Sequence, residues 1–131
     1  MKKVSGIAVV MIALGVLLSS CGGSDLPADA QQYLKDFKAF ADESIAMAKE
    51  GKAIVAKKDS INVSDTAAVD AYQKEATDYQ DKVNAFKDKA NAITAKGGEF
   101  ESKLNRAQQE KMAEEITKIQ EATEAEIAKL Q

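Results

Sequence analysis

Cys21 is the only cysteine in the chain and histidine is absent, so few residues are able to do covalent or acid–base chemistry. Without an imidazole, Ser-His-Asp and Cys-His nucleophile arrangements are ruled out, as are imidazole metal sites and the ordinary near-neutral general base. Carboxylates remain. Glu114 and Glu115 adjoin, while Asp78 with Asp81 and Glu121 with Glu124 stand three apart. Acids at that spacing share a helix face and suit a hard cation such as Ca²⁺, but that ion takes about six to eight oxygen ligands in a glycine-turned loop. No such loop accompanies these pairs, and lysines neighbour each of them. The expectation is a solvated helix face with no metal and no cofactor. Gly97-Gly98 lacks the lysine and hydroxyl residue of a phosphate-binding loop. The shortage of catalytic groups predicts a protein that is not an enzyme.

Cys21 itself lies in LLSSCGG, residues 17–23, behind Lys2, Lys3 and an apolar run from Val4 to Leu18. A basic start, an apolar stretch and then small residues form the layout of a secretory signal peptide, and about 15 apolar residues fall short of the roughly 20 needed to cross a bilayer. Leu18, Ser19, Ser20 and Cys21 resemble the bacterial lipoprotein cleavage motif, a leucine three places before an invariant cysteine with small residues between. The resemblance covers residues 1–21. It implies that residues 1–20 are a lipoprotein signal peptide and that Cys21 becomes the first residue of the mature chain. It further implies lipidation of Cys21 by diacylglycerol, with acylation (for example by palmitate) of the new amino group. The partner reached through that lipid is a membrane of the bacterial cell envelope. Each buried methylene contributes about 0.8 kcal/mol, so two or three acyl chains anchor durably where one does not. Gly22 and Gly23 give the anchor a flexible tether, expected over residues 21–26. Many inner-membrane lipoproteins of proteobacteria carry Asp after the cysteine; Gly22 favours the outer membrane if the source is diderm. With Cys21 acylated, no disulfide forms within a monomer.

Removal of residues 1–20 takes two of the 18 basic residues and none of the 21 acidic ones, leaving a net charge of −5. That acidity speaks against nucleic acid as a partner, because phosphate binding needs clustered Lys and Arg.

Residues 27–131 divide into three segments, with breakers at Asp59–Ser64 and at Gly97-Gly98. In the middle segment Val69, Tyr72, Ala76, Tyr79, Val83, Phe86, Ala90 and Ile93 alternate spacings of three and four without a break. That heptad register predicts a helix that supercoils against partners. Ser64 or Asp65 is placed to cap it, and Gly97 to end it in the left-handed conformation. The first segment carries Tyr33, Phe37, Phe40, Ser44, Met47, Gly51 and Ile54 on one seam, with Leu34, Ala41, Ala48 and Val55 beside it. Pro27 marks its start. Gly51 costs up to about 1 kcal/mol against Ala, so either another helix approaches closely there or the helix bends. The third segment has a broader stripe: Phe100, Leu104, Ala107, Met112, Ile116, Ile119, Thr123, Ile127 and Leu130. The fold expected is all-α, an antiparallel up-down-up three-helix bundle with coiled-coil-like packing and helices over 27–58, 65–96 and 98–130. All three stripes should face one axis. Aromatics at heptad spacing fill such a core.

Anchor, tether and bundle together predict a lipid-anchored helical interaction module that binds an envelope, cell-wall or host partner as a monomer. The polar run Asn105, Arg106, Gln108, Gln109 and Lys111 is the candidate partner surface. The alternatives are a self-associating structural spacer, resembling the major murein lipoprotein, and a periplasmic small-ligand carrier or inhibitor. The chain ends Lys129, Leu130 and Gln131, whereas the murein-lipoprotein pattern ends in lysine.

Overall fold

The computed structural model describes residues 25–131; residues 1–20, expected as a signal peptide, and Cys21 with the tether residues directly behind it lie outside the described residues. Three helices follow in order: α1 (Ala28–Lys58), α2 (Thr66–Gly98) and α3 (Arg106–Ala128), with a short 3-10 turn, Glu99–Glu101, between the last two. Pro27 stands at the N-cap of α1, its carbonyl accepting from Gln31 N at 3.0 Å. At the start of α2 the Asp65 carboxylate accepts from Ala68 N at 3.2 Å, so Asp65 and not Ser64 is the cap. Leu26 belongs to the core rather than to the tether.

Two sequence expectations are corrected at the end of α2. Gly97 does not adopt a left-handed conformation: the helix runs through both glycines, and Gly98 has helical angles of φ −62 and ψ −27. The third helix begins at Arg106, not at residue 98. The reason lies in Phe100 and Leu104, both buried. Straight continuation as one helix would carry them past the core, whereas the 3-10 turn reverses the chain, with Leu104 N donating to Phe100 O at 3.0 Å. Asn105 then caps α3 through a capping box: its side chain accepts from Gln108 N at 3.0 Å, and Gln108 Oε1 accepts from Asn105 N at 3.1 Å.

Four ion pairs fix the direction and register of α1 against α2. Asp36–Lys96, Glu43–Lys89, Glu50–Lys82 and Lys57–Glu75 climb one helix and descend the other in steps of one heptad. Only an antiparallel pair gives that order. Two tyrosines tie the same interface: Tyr33 Oη donates to Ile93 O at 3.2 Å, and Tyr79 Oη to Met47 O at 2.9 Å. Phe40 and Phe86 stack between them, ring centroids 4.3 Å apart. The pattern is a repeat: Tyr33, Phe40, Met47 and Gly51 recur at identical spacing as Tyr79, Phe86, Ile93 and Gly97, while Asp36, Glu43 and Glu50 become Lys82, Lys89 and Lys96. Similar apolar spacing with inverted charge makes the two helices complementary to each other. The close approach expected at Gly51 is made by Tyr79, whose Cζ would lie 2.9 Å from a Cβ at that position.

α3 runs parallel to α1, giving the up-down-up order. Gln108 near its start donates to Asp25 O at 2.7 Å, and Glu126 near its end feels the charge of Lys49. The three stripes do not share one axis equally: α1 packs against both other helices, and the α2–α3 pair adds little. Sequence explains the asymmetry. Beside its seam α1 carries the second apolar row Leu34, Ala41, Ala48 and Val55, whereas the matching row on α2 is Gln73, Gln80, Lys87 and Thr94. One core cluster therefore joins Ala30, Tyr33 and Phe37 to Phe100, Leu104, Met112 and Ile116, and a second joins Phe40 and Met47 to Phe86 and Ala90. Among the described residues no helix is long and apolar enough to cross a membrane.

Candidate functional site

The lengths of the helices set the shape of the exposed surface. With 31, 33 and 23 residues, α1, α2 and α3 are about 46, 50 and 35 Å long at 1.5 Å per residue. α3 starts level with Asp25 and, at 23 residues against 31, is shorter than α1. Beyond it, the last turns of α1 and the first of α2 stand as a two-helix tip closed by the loop over residues 59–65. The large hydrophobic side chains left exposed, Val55 at 64% and Val63 at 86%, both lie on that tip.

The sequence-selected surface lies at the opposite end, beside the start of α1, and most of its polar groups turn inward. Asn105 and Gln108 form the cap described above, and Gln108 also holds Asp25 O. Gln109 Nε2 donates to Glu101 O at 2.6 Å and Leu104 O at 3.0 Å, closing the turn before α3. Arg106 pairs with Glu110 at 3.0 Å. Lys111 is exposed. The polarity that marks this run in sequence is thus largely the polarity of a helix start and a chain reversal. Cys21, the lipidation site read from sequence, lies outside the described residues.

Of the three carboxylate pairs, Glu114 with Glu115 and, in the second pair, Asp78 alone engage lysines, while Asp81, Glu121 and Glu124 make no ion pair among the described residues. Glu114 and Glu115 both engage Lys118, at 2.8 and 3.0 Å; their hydrogen bonds hold the ammonium protonated to about pKa 12 and pull the Glu114 carboxyl below its usual range. Asp78 pairs with Lys74 at 2.6 Å, raising that lysine. Asp36 is lowered by its hydrogen bonds to Gln32 and Lys96. Among the described residues no three acids, cysteines or histidines converge as a metal site would require. Burial pushes the phenols of Tyr33 and Tyr79 upward, and their hydroxyls are occupied in the interface. A shallow groove of about 380 Å³ runs along the ion-pair side of α1 and α2, floored by Ala46, Met47, Ala85 and Phe86 and rimmed by the Glu43–Lys89 and Glu50–Lys82 pairs. Its polar lining consists of these two ion pairs, whose charges are matched within the chain.

At the tip, Lys52 and Lys58 lie three residues before and after Val55 and Asp59 four after it, hence on its face of α1, and all three are exposed. None of them makes an ion pair among the described residues, and neither do Lys35 and Lys87 elsewhere on the hairpin. The apolar pattern sets Val55 beside the seam of α1, and in the structure it is exposed. Comparison of the chain with protein-family models, with curated proteins and with solved structures finds no match.

Proposed function

We propose that this protein is a lipid-anchored, non-enzymatic helical interaction module of the bacterial cell envelope, which presents a rigid bundle to an envelope, cell-wall or host partner. The reading is carried by one observation: the Leu18-Ser19-Ser20-Cys21 motif stands only a few residues before Leu26, which is locked into one end of the bundle. Lipid on Cys21 would hold that end at the membrane, with two or three acyl chains anchoring durably. The tip at residues 59–65 would stand about 45 Å away, the length of α1. In this orientation Asn105, Arg106, Gln108, Gln109 and Lys111 lie at the membrane-proximal end. Gly22, in place of Asp, favours the outer membrane if the source is diderm.

Several features support a binding role over catalysis. Histidine is absent, Asp78, Glu114 and Glu115 engage lysines rather than one another, and the buried hydroxyls of Ser44 and Thr123 bond to carbonyls of their own helices. The test is in-cell cross-linking of the lipidated protein followed by mass spectrometry, with Cys21→Ala as the unanchored control. One envelope partner that is lost in the control is the expected result. Links only between copies would support the structural spacer instead, and unchanged links in the control would overturn the role of the anchor.

A further inference from the structure

The seam of α1 does not stop at the loop. From Tyr33 to Ile54 it alternates spacings of four and three, and the same alternation continues through Lys58, Ile61 and Asp65. Val69, the first member of the α2 seam, follows four residues later. From Tyr33 to Ile93 the only departure is that pair of fours around Asp65, which a coiled helix accommodates by unwinding locally. The two charged members, Lys58 and Asp65, bring opposite signs. Residues 59–65 contain neither glycine nor proline, the residues that a helix interior tolerates least. The loop is held by short local bonds: Asn62 Oδ1 accepts from Ser64 N at 3.0 Å, and Asn62 O accepts from Asp65 N at 2.9 Å. A loop that only joins two separate helices has no need to keep their seams in one frame.

We infer that the chain has a second form, in which α1, the loop and α2 straighten into one helix and two copies exchange α1, each α1 packing on the α2 and α3 of the other copy. The partner is a second copy of this chain, and the inference depends neither on the anchor nor on the interaction-module reading. Packing selects the element exchanged. α1 packs against both other helices, whereas α2 and α3 contact each other little and stay joined through the turn that buries Phe100. Charge selects what α1 meets. Two α1 helices side by side would set Asp36, Glu43 and Glu50 against acids, and two α2 helices would set Lys82, Lys89 and Lys96 against lysines. Only α1 against α2 satisfies the ion-pair ladder, and that pairing is the same whether the helices belong to one chain or to two. The two tyrosine bonds and the Phe40–Phe86 stack re-form with it. Exchange therefore keeps the contacts of α1, gives up the local bonds of the loop, and replaces them with those of a helix over residues 28–98, about 107 Å long.

The experiment uses the full chain purified from its own cells, grown on ordinary and on heavy-nitrogen medium. Equal parts are mixed, unfolded in urea and refolded together over a range of concentrations. A carbodiimide then joins carboxylates to the lysines they touch, and mass spectrometry reads the isotope of both linked peptides. Closed chains join light to light and heavy to heavy only. The expected result is light–heavy links that rise with concentration, in the same proportion at Asp36–Lys96, Glu43–Lys89 and Glu50–Lys82. Asn62→Pro places in the loop a residue that a helix interior rejects, and should abolish the mixed links while the same-chain links persist. Asn62→Leu removes the bond to Ser64 N and supplies a better helix former, and should bring the mixed links on at about ten-fold lower concentration. The proposal is overturned if no light–heavy links form up to the limit of solubility, if they form at one rung only, as side-by-side contact of closed chains would give, or if Asn62→Pro folds and leaves them unchanged. The first two readings come from the unaltered chain, so they decide the matter even where a variant fails to fold.

Discussion

Substituting Gly51 by alanine should destabilise this protein, although alanine is the better helix former by about 1 kcal/mol at an interior position. The new Cβ would lie 2.9 Å from Cζ of Tyr79, against an ordinary carbon–carbon contact of about 3.5–4.0 Å. The ring must retreat by roughly 1 Å, and inserting a carbon into a packed interface of this kind costs about 1–3 kcal/mol. Retreat also draws the phenol away from Met47 O, now 2.9 Å distant, losing a hydrogen bond that contributes about 0.5–1.5 kcal/mol. After the propensity gain, Gly51→Ala should cost about 1–3 kcal/mol. With Tyr79→Ala already in place, the same substitution meets no ring and should stabilise that background by up to about 1 kcal/mol. The assay is urea unfolding followed by helical circular dichroism on the four proteins of the double-mutant cycle. A sign reversal between the two backgrounds is the expected result. If Gly51→Ala stabilised the otherwise unaltered protein, or cost the same with and without the Tyr79 ring, the account of why glycine stands there would be refuted.

Asn105→Ala should cost about 1 kcal/mol, the usual worth of an N-cap, and hydrogen exchange should show the loss first in the opening turn of α3. Reversing Glu43 to Lys should lower stability by no more than about 1 kcal/mol, because the Glu43–Lys89 pair is exposed; restoring the pair with Lys89→Glu should recover it, and salt should shrink both effects. At acid pH, the carboxyls of Asp36, Glu114 and Glu126 are lower in the folded state than their ordinary values of 3.8 and 4.5. Their contribution is therefore present above those values and is lost as pH falls below them, which an acid titration of ellipticity checks. At alkaline pH the sign is opposite: Tyr33 and Tyr79 are raised above 10.0 and Lys118 from 10.5 to about 12. Stability should hold up to about pH 10 and decline as pH rises through the raised values, and Tyr79→Phe should flatten part of that slope in alkaline urea titrations.

The pattern of apolar residues was enough to read three helices and their seams, because heptad spacing over Val69 to Ile93 admits no other regular structure. The chain reversal after α2 was not readable in the same way. Two glycines look like a helix stop, but glycine is also tolerated in a helix, and what reverses the chain is the burial of Phe100 and Leu104, a tertiary demand. The start of the third helix at Arg106 rather than at residue 98 has the same cause, and the polar run from Asn105 to Lys111 supplies a capping box and a closed turn that its polarity alone does not reveal. The ion-pair ladder was present in the sequence as acids on one helix and lysines on the other, and became visible only with the antiparallel register. The row Leu34, Ala41, Ala48 and Val55 beside the α1 seam was legible; the exposure of Val55 at its end was not.

Intact-mass spectrometry of the protein extracted from cell membranes decides whether Cys21 carries the anchor. The expected result is a chain beginning at Cys21 and carrying the mass of a diacylglyceryl group, with or without an additional acyl chain. A membrane-extracted chain that retains residues 1–20, or begins elsewhere with Cys21 as a free thiol, would mean that Cys21 is not the anchor.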